Sequence, residues 1–361
     1  IYATSFPPAL ALKGSFGMSQ KGKSLRYALI GLQFVISIAF IICAIFLKKQ
    51  HSYMMNYDMG FNKECLLTAN IPVSSMDERD AFSSELLNNP NIKEVAWSQD
   101  RMVAEMHMTW GRWHHGEQMM LTVMPVSWNF LQVMGIEVFE GRDFLPSDEK
   151  GDGAIILNEY AKNKYNLNLE EVIEWNGKPF PATGFCRDFH FKPLHEESDA
   201  FAFYIYDTEI QNRYYTTPHL TLRTIENADI KAVFDAIRAT TDKILPDYGS
   251  EKVKINFFDE ELGENYQKEQ QLTTTISLFT MLAIIISLMG VLGLVIFETQ
   301  YRRKEIGIRR VNGATVREIL VMFNRKFMII VGICFIIAAP ISYFITDYYY
   351  RSFAYRAPIA V

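Results

Sequence analysis

Three groups of residues have types and spacings that could do chemistry. Gly17-Met-Ser-Gln-Lys-Gly22-Lys23-Ser24 matches the phosphate-cradling pattern G-x-x-x-x-G-K-[ST]. That loop works only between a buried strand and a helix whose amino end faces the phosphates. Ala11–Phe16 does not read as a buried strand, and an apolar run follows, so the match reads as a basic linker. Met102, Met106, Met108, Met119, Met120 and Met124, with His107, His114 and His115, offer thioethers and imidazoles that suit a soft ion such as Cu(I) or Ag(I). No Met-x-x-Met array repeats there, and Met119 and Met120 must face opposite ways on a strand. Trp110 and Trp113 favour a hairpin with aromatic packing, and the methionines read as adaptable apolar filler. Asp188 and His190 alternate on an expected strand and so share a face. No Ser or Cys in a nucleophile-like turn accompanies them, and they read as surface hydrogen-bonding groups. The sequence therefore nominates no catalytic residue, no cofactor and no metal.

A fourth stretch, Glu298–Thr315, has order without chemistry. It reads E-T-Q-Y-R-R-K-E-I-G-I-R-R-V-N-G-A-T and holds five basic residues, Arg302, Arg303, Lys304, Arg309 and Arg310. Uncharged runs long enough to cross a bilayer lie on both sides, and Lys and Arg beside such runs mark the cytoplasmic face. Ile306, Ile308 and Val311 form a short apolar set, Gly313 supplies a helix stop, and Thr315-Val-Arg-Glu318 has the spacing of a capping box. A helix lying on the membrane and offered to a soluble partner accounts for this order; a plain basic anchor does not need it.

These residues resemble the cytoplasmic segment of the FtsX/MacB-like permease family of ABC transporters. In that family the segment joins the second and third membrane helices and docks on a separate ATP-hydrolysing subunit. The resemblance implies that Glu298, Arg302, Lys304, Glu305, Ile306, Gly307, Ile308, Arg309, Arg310, Gly313, Ala314 and Thr315 form the docking surface. One departure is Asn312, where the family often carries an apolar residue; it lowers the amphipathicity of the docking helix.

The elements that must position this segment follow from charge and hydropathy. Residues 1–27 carry four basic groups and no acidic one. Residues 48–271 hold 22 basic and 37 acidic groups, and residues 298–326 hold 8 and 3, so the overall −5 averages an acidic domain with two basic patches. Such a domain is a poor nucleic-acid binder, because that binding depends on neutralising phosphates. Ala28–Leu47, Leu272–Phe297 and Phe327–Thr346 contain no Asp, Glu, Lys, Arg or His. About 20 apolar residues span the hydrocarbon core, and the absence of ionisable groups disfavours a proton-coupled transporter. Pro340 suggests a kink in the third run. The expected order is a cytoplasmic basic linker (1–27), a first membrane helix (28–47), an outside domain (48–271), a second membrane helix (272–297), a cytoplasmic coupling segment (298–326), a third membrane helix (327–346), and an outside loop leading to a fourth helix (347–361). The family pattern makes the chain an expected second half of a longer permease, lacking its fourth helix. Cys65 and Cys186 lie in the outside domain, where a disulfide is permitted, but one widely spaced pair leaves the pairing open.

Within the outside domain, Leu66–Ile71 and Val95–Ser98 read as strands around a helix at Asp77–Asn89. His219–Arg223 and Val253–Phe258 read as strands around an amphipathic helix at Asn227–Leu245, with Ile230, Val233, Phe234, Ile237 and Ile244 on one face. Between the two units lies an insert, about residues 112–200, with a strand at Ala154–Leu157, a helix at Asn158–Tyr165 and a hairpin turn at Asn176-Gly177. Gly135, Gly141 and Gly184 read as turn glycines. Val126–Phe144 and Asn176–Phe189 resemble the extracytoplasmic core domain of the same family.

The expected fold is an α-helical membrane protein with a large extracytoplasmic α+β domain, two strand–helix–strand units flanking an inserted β-rich subdomain. The resemblance implies a non-enzymatic permease subunit that transmits ATP-driven motion to its outside domain, for export of a lipoprotein, peptide or drug or for regulation of a partner. Its implied partners are a separate ABC ATPase that binds the ATP, membrane lipid, and a second copy or half in a dimer or pseudo-dimer; its implied place is the inner membrane of a bacterium, with the domain in the periplasm. The alternative is a membrane-anchored extracytoplasmic ligand sensor. A surface-anchored hydrolase lacks a site.

Overall fold

The computed structural model describes residues 20–114, 117–169, 173–175, 178–180, 182–206 and 218–358. It divides into an α+β unit, Met54–Gln267, and a helical unit built from the chain up to Tyr53 and from Lys268 onward.

The α+β unit is organised by two strand–helix–strand segments. Strand β1 (Leu66–Asn70), helix α2 (Met76–Leu86) and β2 (Ile92–Ser98) form the first; β11 (His219–Thr224), α5 (Ile230–Ile244) and β12 (Ile255–Phe257) form the second. Their strands make one antiparallel sheet in the order β12-β1-β11-β2. Each helix starts on a side-chain cap: Ser75 accepts from the Glu78 amide and Asp229 from the Ala232 amide. Both helices lay their apolar faces on this sheet. Phe82 and Leu86 of α2 and Val233 and Ile237 of α5 pack with Leu67, Val95, Trp97, Leu220 and Leu222 in one buried cluster. The unit is a two-layer arrangement of helices on a sheet.

The insert builds a second, six-stranded mixed sheet, in the order β3-β4-β10-β6-β9-β5. Its strands are β3 (Met108–His114), β4 (Glu117–Pro125), β5 (Val138–Gly141), β6 (Ala154–Asn158), β9 (Ala182–Cys186) and β10 (Phe201–Ile205). Helices α3 (Phe130–Met134) and α4 (Glu159–Tyr165) accompany it, and β7 (Ile173–Trp175) pairs with β8 (Lys178–Phe180) as a separate ribbon. The Asn176-Gly177 turn expected between them lies outside the described residues. Gly184 shows why a side chain is excluded where β5 and β9 meet, since a Cβ there would lie 2.7 Å from the Arg142 carbonyl oxygen. Side chains with long sequence separation tie the first layer to helical segments of the insert and to the chain before β1. Arg79 of α2 donates to both carboxylate oxygens of Glu149 at 2.8 Å. Arg223 of β11 donates to the carbonyls of Asn62, Glu64 and Val133. Both arginines are buried, and bidentate or multiply accepted guanidinium groups tolerate burial best.

In the helical unit, α1 (Gln20–Met55), α7 (Gln267–Tyr301) and α9 (Val316–Tyr350) are each long and apolar enough to cross a membrane. The short α6 (Phe258–Glu264) precedes α7, and α8 (Arg303–Val311) lies between α7 and α9. α1 is hydrogen-bonded to both long neighbours. Toward α7, Ser37 pairs with Ser287 at 2.7 Å and Thr280 donates to the Phe40 carbonyl at 3.2 Å. Toward α9, Cys334 donates to the Gly31 carbonyl, Ser342 to that of Ala39 and Tyr350 to that of Phe46. Small side chains at Ala283, Ser287 and Gly290 give α1 a close approach, and a Cβ at Gly290 would lie 2.6 Å from Gln33 Oε1. Such small-residue contacts suit helix packing in lipid, where apolar burial between helices supplies little drive.

Candidate functional site

The stretch Glu298–Thr315 folds as the end of α7, the short helix α8 and a turn into α9. The α8 helix closes in a Schellman arrangement: the Ala314 amide donates to the Arg309 carbonyl at 3.0 Å and the Gly313 amide to that of Arg310 at 3.1 Å. Gly313 sits at φ +90°, in the left-handed region that favours glycine. Thr315 then caps α9 reciprocally. Its hydroxyl accepts from the Glu318 amide at 3.3 Å, and the Glu318 carboxylate accepts from the Thr315 amide at 2.9 Å. Stop and start thus follow the residue types that announced them.

The apolar set divides as its spacing on a helix requires. Ile308 is 64% exposed and Val311 88%, while Ile306 is half-buried. On a helix, residues 308 and 311 are neighbours on one side and 306 points away from 308, so the outward apolar pair is Ile308/Val311. Lys304, Gly307, Arg309, Arg310, Gly313 and Thr315 are exposed, and Ala314 is half-buried. Asn312, the helix C-cap, is exposed too. Beside them Arg309, Asn312, Gly313, Ala314, Glu318, Ile319 and Met322 line a cleft of 450 Å³.

Charges on α8 are chained. Arg302 donates to Glu298 at 3.0 Å and to Glu305 at 3.3 Å, and Arg309 donates to Glu305 at 3.0 Å. Glu298 itself is 5% exposed and accepts a short 2.5 Å hydrogen bond from the Tyr27 hydroxyl. Its carboxylate is turned toward α1 within the helical unit. Nothing local in the sequence marks this burial, because the partner is 271 residues away.

The other nominated groups are not brought together. Residues 17–19 of the phosphate-loop match lie outside the described residues, and from Gln20 the chain is already helix α1. Of the methionines, Met102, Met119 and Met124 are buried, whereas Met106, Met108 and Met120 are exposed. His107 Nε2 lies 3.1 Å from the Phe191 carbonyl; His115 is outside the described residues. The alternation of Met119 and Met120 is that of the β3–β4 hairpin, where Trp110 packs at a tilt against Tyr204 of β10 with ring centroids 4.3 Å apart. Asp188 and His190 do not lie on a strand: β9 ends at Cys186 and both follow in irregular chain. Asp188 instead accepts from the Tyr160 amide and the Asn158 side chain, capping the α4 region, and His190 pairs with Ser198 at 2.8 Å. Burial raises the Asp188 carboxyl and lowers the His190 imidazole from their ordinary values. Cys65 is exposed, Cys186 is buried, and both are free thiols.

A buried polar cluster that the sequence did not announce lies beneath the first sheet. His219 opens β11, and its Nε2, without a hydrogen-bond partner, lies 3.6 Å from a Glu261 carboxylate oxygen. Thr68 donates to the same oxygen at 2.5 Å. Desolvation pushes the His219 imidazole down to about 4 and raises the Glu261 carboxyl.

Fold and segment together define a polytopic membrane subunit with a large α+β domain. A family model described as MacB-like periplasmic core domain matches residues 30–240, and one described as FtsX-like permease C-terminal matches residues 277–361. The chain belongs to the FtsX/MacB-like family of ABC transporter permeases. Among solved structures, the periplasmic region of MacB from Actinobacillus actinomycetemcomitans is 13% identical, with a TM-score of 0.41 over 59% of this chain and 98% of that one. The extracellular domain of the noncanonic ABC-type transporter YknZ from Gram-positive bacteria is 15% identical, with a TM-score of 0.38 over 53% of this chain and 98% of that one. No curated protein matches the chain.

Proposed function

We propose that this chain is a permease subunit that carries ATP-driven motion from a separate cytoplasmic ATPase to its extracytoplasmic domain, and that α8 with the turn to Thr315 is the docking element. The observation that carries the reading is the exposure of Ile308 and Val311 on a short, firmly terminated helix with five basic groups in and beside it. An apolar pair left in solvent beside such charges supports a contact-surface reading. The motion serves export of a lipoprotein, peptide or drug, or regulation of a partner. The subunit lies in a bacterial inner membrane with residues 48–271 in the periplasm, and works as a dimer or as one half of a pseudo-dimer.

The docking set acquires roles. Ile308 and Val311 are the anchor, Lys304, Arg309 and Arg310 steer the ATPase onto it, and Gly307 leaves room for close approach, since a Cβ there meets nothing within 4 Å. Truncating a well-packed interface anchor costs about 2 kcal/mol or more. Ile308→Asp is expected to abolish retention of the ATPase in a pull-down while the protease resistance of the α+β unit stays unchanged. Full retention by Ile308→Asp and by Val311→Asp would leave the segment a basic anchor and put the sensor reading ahead.

A further inference from the structure

Glu298, at the end of α7, is gripped from two sides. From α1, Tyr27 donates to one carboxylate oxygen at 2.5 Å, and the preceding Arg26 lies over the Phe297 ring, 3.7 Å from its centroid. Two consecutive residues of α1 therefore hold two consecutive residues of α7. From the other side, Arg302 donates to the second carboxylate oxygen at 3.0 Å, and the chain of charged hydrogen bonds continues through Glu305 to Arg309 in the last turn of α8. A buried carboxylate without its donors is costly, so this cluster holds as a whole or fails as a whole. It is also a charged contact at the end of a span that elsewhere meets α1 through hydroxyl hydrogen bonds.

We propose that Arg26, Tyr27 and Glu298 form a clamp that makes α1 follow the docking helix. Glu298 is then a positioning residue and not an ATPase contact. Displacement of α8 passes through Arg302 and Glu298 into α1, which runs as one helix to Met55 and so delivers it to the first residues of the α+β unit. The role in coupling rests on the docking reading above; the mechanical tie does not.

The test has two arms, both on the full chain in liposomes with its native cysteines replaced. In the first, spin labels at Ser24→Cys and Val311→Cys, both exposed positions, report the distance between the start of α1 and the end of α8. A narrow distribution is expected, and Tyr27→Phe and Glu298→Gln are each expected to broaden it. Unchanged distributions in both variants would overturn the clamp. In the second, the ATPase is co-reconstituted. Glu298→Gln is expected to retain the ATPase in a pull-down but lose the chain-dependent stimulation of ATP turnover. The pair Tyr27→Cys with Glu298→Cys is expected to lose stimulation too and to regain it when bridged by a short bis-maleimide. A bridge that leaves the loss unrepaired would show that the contact must open during turnover and would overturn a clamp that stays shut. A native chain that retains no ATPase would sink the docking reading alone, because the first arm still decides the mechanical tie.

Discussion

At the scale of single residues, the His219–Glu261 cluster gives a pH dependence whose sign can be worked out. His219 is held at about 4 in the fold against an ordinary value of 6.5, chiefly by burial, with Asp100 opposing and Arg101 reinforcing the shift. It is neutral in both states above pH 6.5. Below that the unfolded chain takes up a proton that the folded chain refuses, so stability is lost as pH falls from 6.5 toward 4. The slope is at most about 1.4 kcal/mol per pH unit. Glu261 works the other way. Its folded value is raised above 4.5, by burial first, with Glu264 and Asp100 reinforcing the shift and Thr68 and Arg101 opposing it. Its contribution is therefore present at acid pH and lost as pH rises through the folded value. All five tryptophans lie between Trp97 and Trp175, so their emission reports unfolding of the α+β unit alone. Replacing His219 with Gln is expected to flatten the fall in melting midpoint between pH 6.5 and 4.5, whereas Glu261→Gln is expected to steepen it. An unaltered acid limb in His219→Gln would mean that the imidazole is protonated normally in the fold.

At the scale of elements, Gly313 decides whether α8 and α9 meet at a fixed angle. A β-branched side chain at φ +90° costs about 1–2 kcal/mol or more. Gly313→Val is therefore expected to weaken ATPase retention although Ile308 and Val311 are untouched, with Gly313→Ala intermediate; retention equal to the native chain in a quantitative pull-down would count against a turn of fixed geometry. This turn was legible in the sequence because its signals are local: a glycine at C′, then a Thr and a Glu three apart. The flanking strand–helix–strand units were legible for the same reason, with apolar positions repeating at helical spacing on α5, although the caps at Ser75 and Asp229 were not singled out. What escaped was set by distant partners. That Ile306 is half-buried while Ile308 and Val311 are exposed is not visible in the apolar set itself. Asp188 and His190 looked like strand because alternation continues past the point where β9 loses its neighbour. Nothing near Glu298 announces that it is buried against Tyr27.

At the scale of the whole molecule, the remaining question is sidedness, and here the two charge imbalances do not weigh equally. The acidic excess of residues 48–271 says little, because long translocated domains cross regardless of charge and Asp and Glu contribute little to orientation. The weight rests on the short basic stretches. Residues 298–326 carry 8 basic groups against 3 acidic ones between two membrane-length helices, and residues 1–27 carry four basic groups and none acidic. Two crossings, α1 and α7, would put both stretches on one side and the α+β unit on the other, so the two signals agree without adjustment. Ser147 in the α+β unit and Thr315 at the end of the turn after α8 are both exposed, and burial cannot explain a failure to react at either. In a background without Cys43, Cys65, Cys186 and Cys334, a membrane-impermeant maleimide is expected to label Ser147→Cys from outside in spheroplasts. Thr315→Cys is expected to react only after the membrane is opened. Labelling of Thr315→Cys in sealed cells would invert the topology, and it would remove the ATPase reading with it, since no cytoplasmic partner could reach α8.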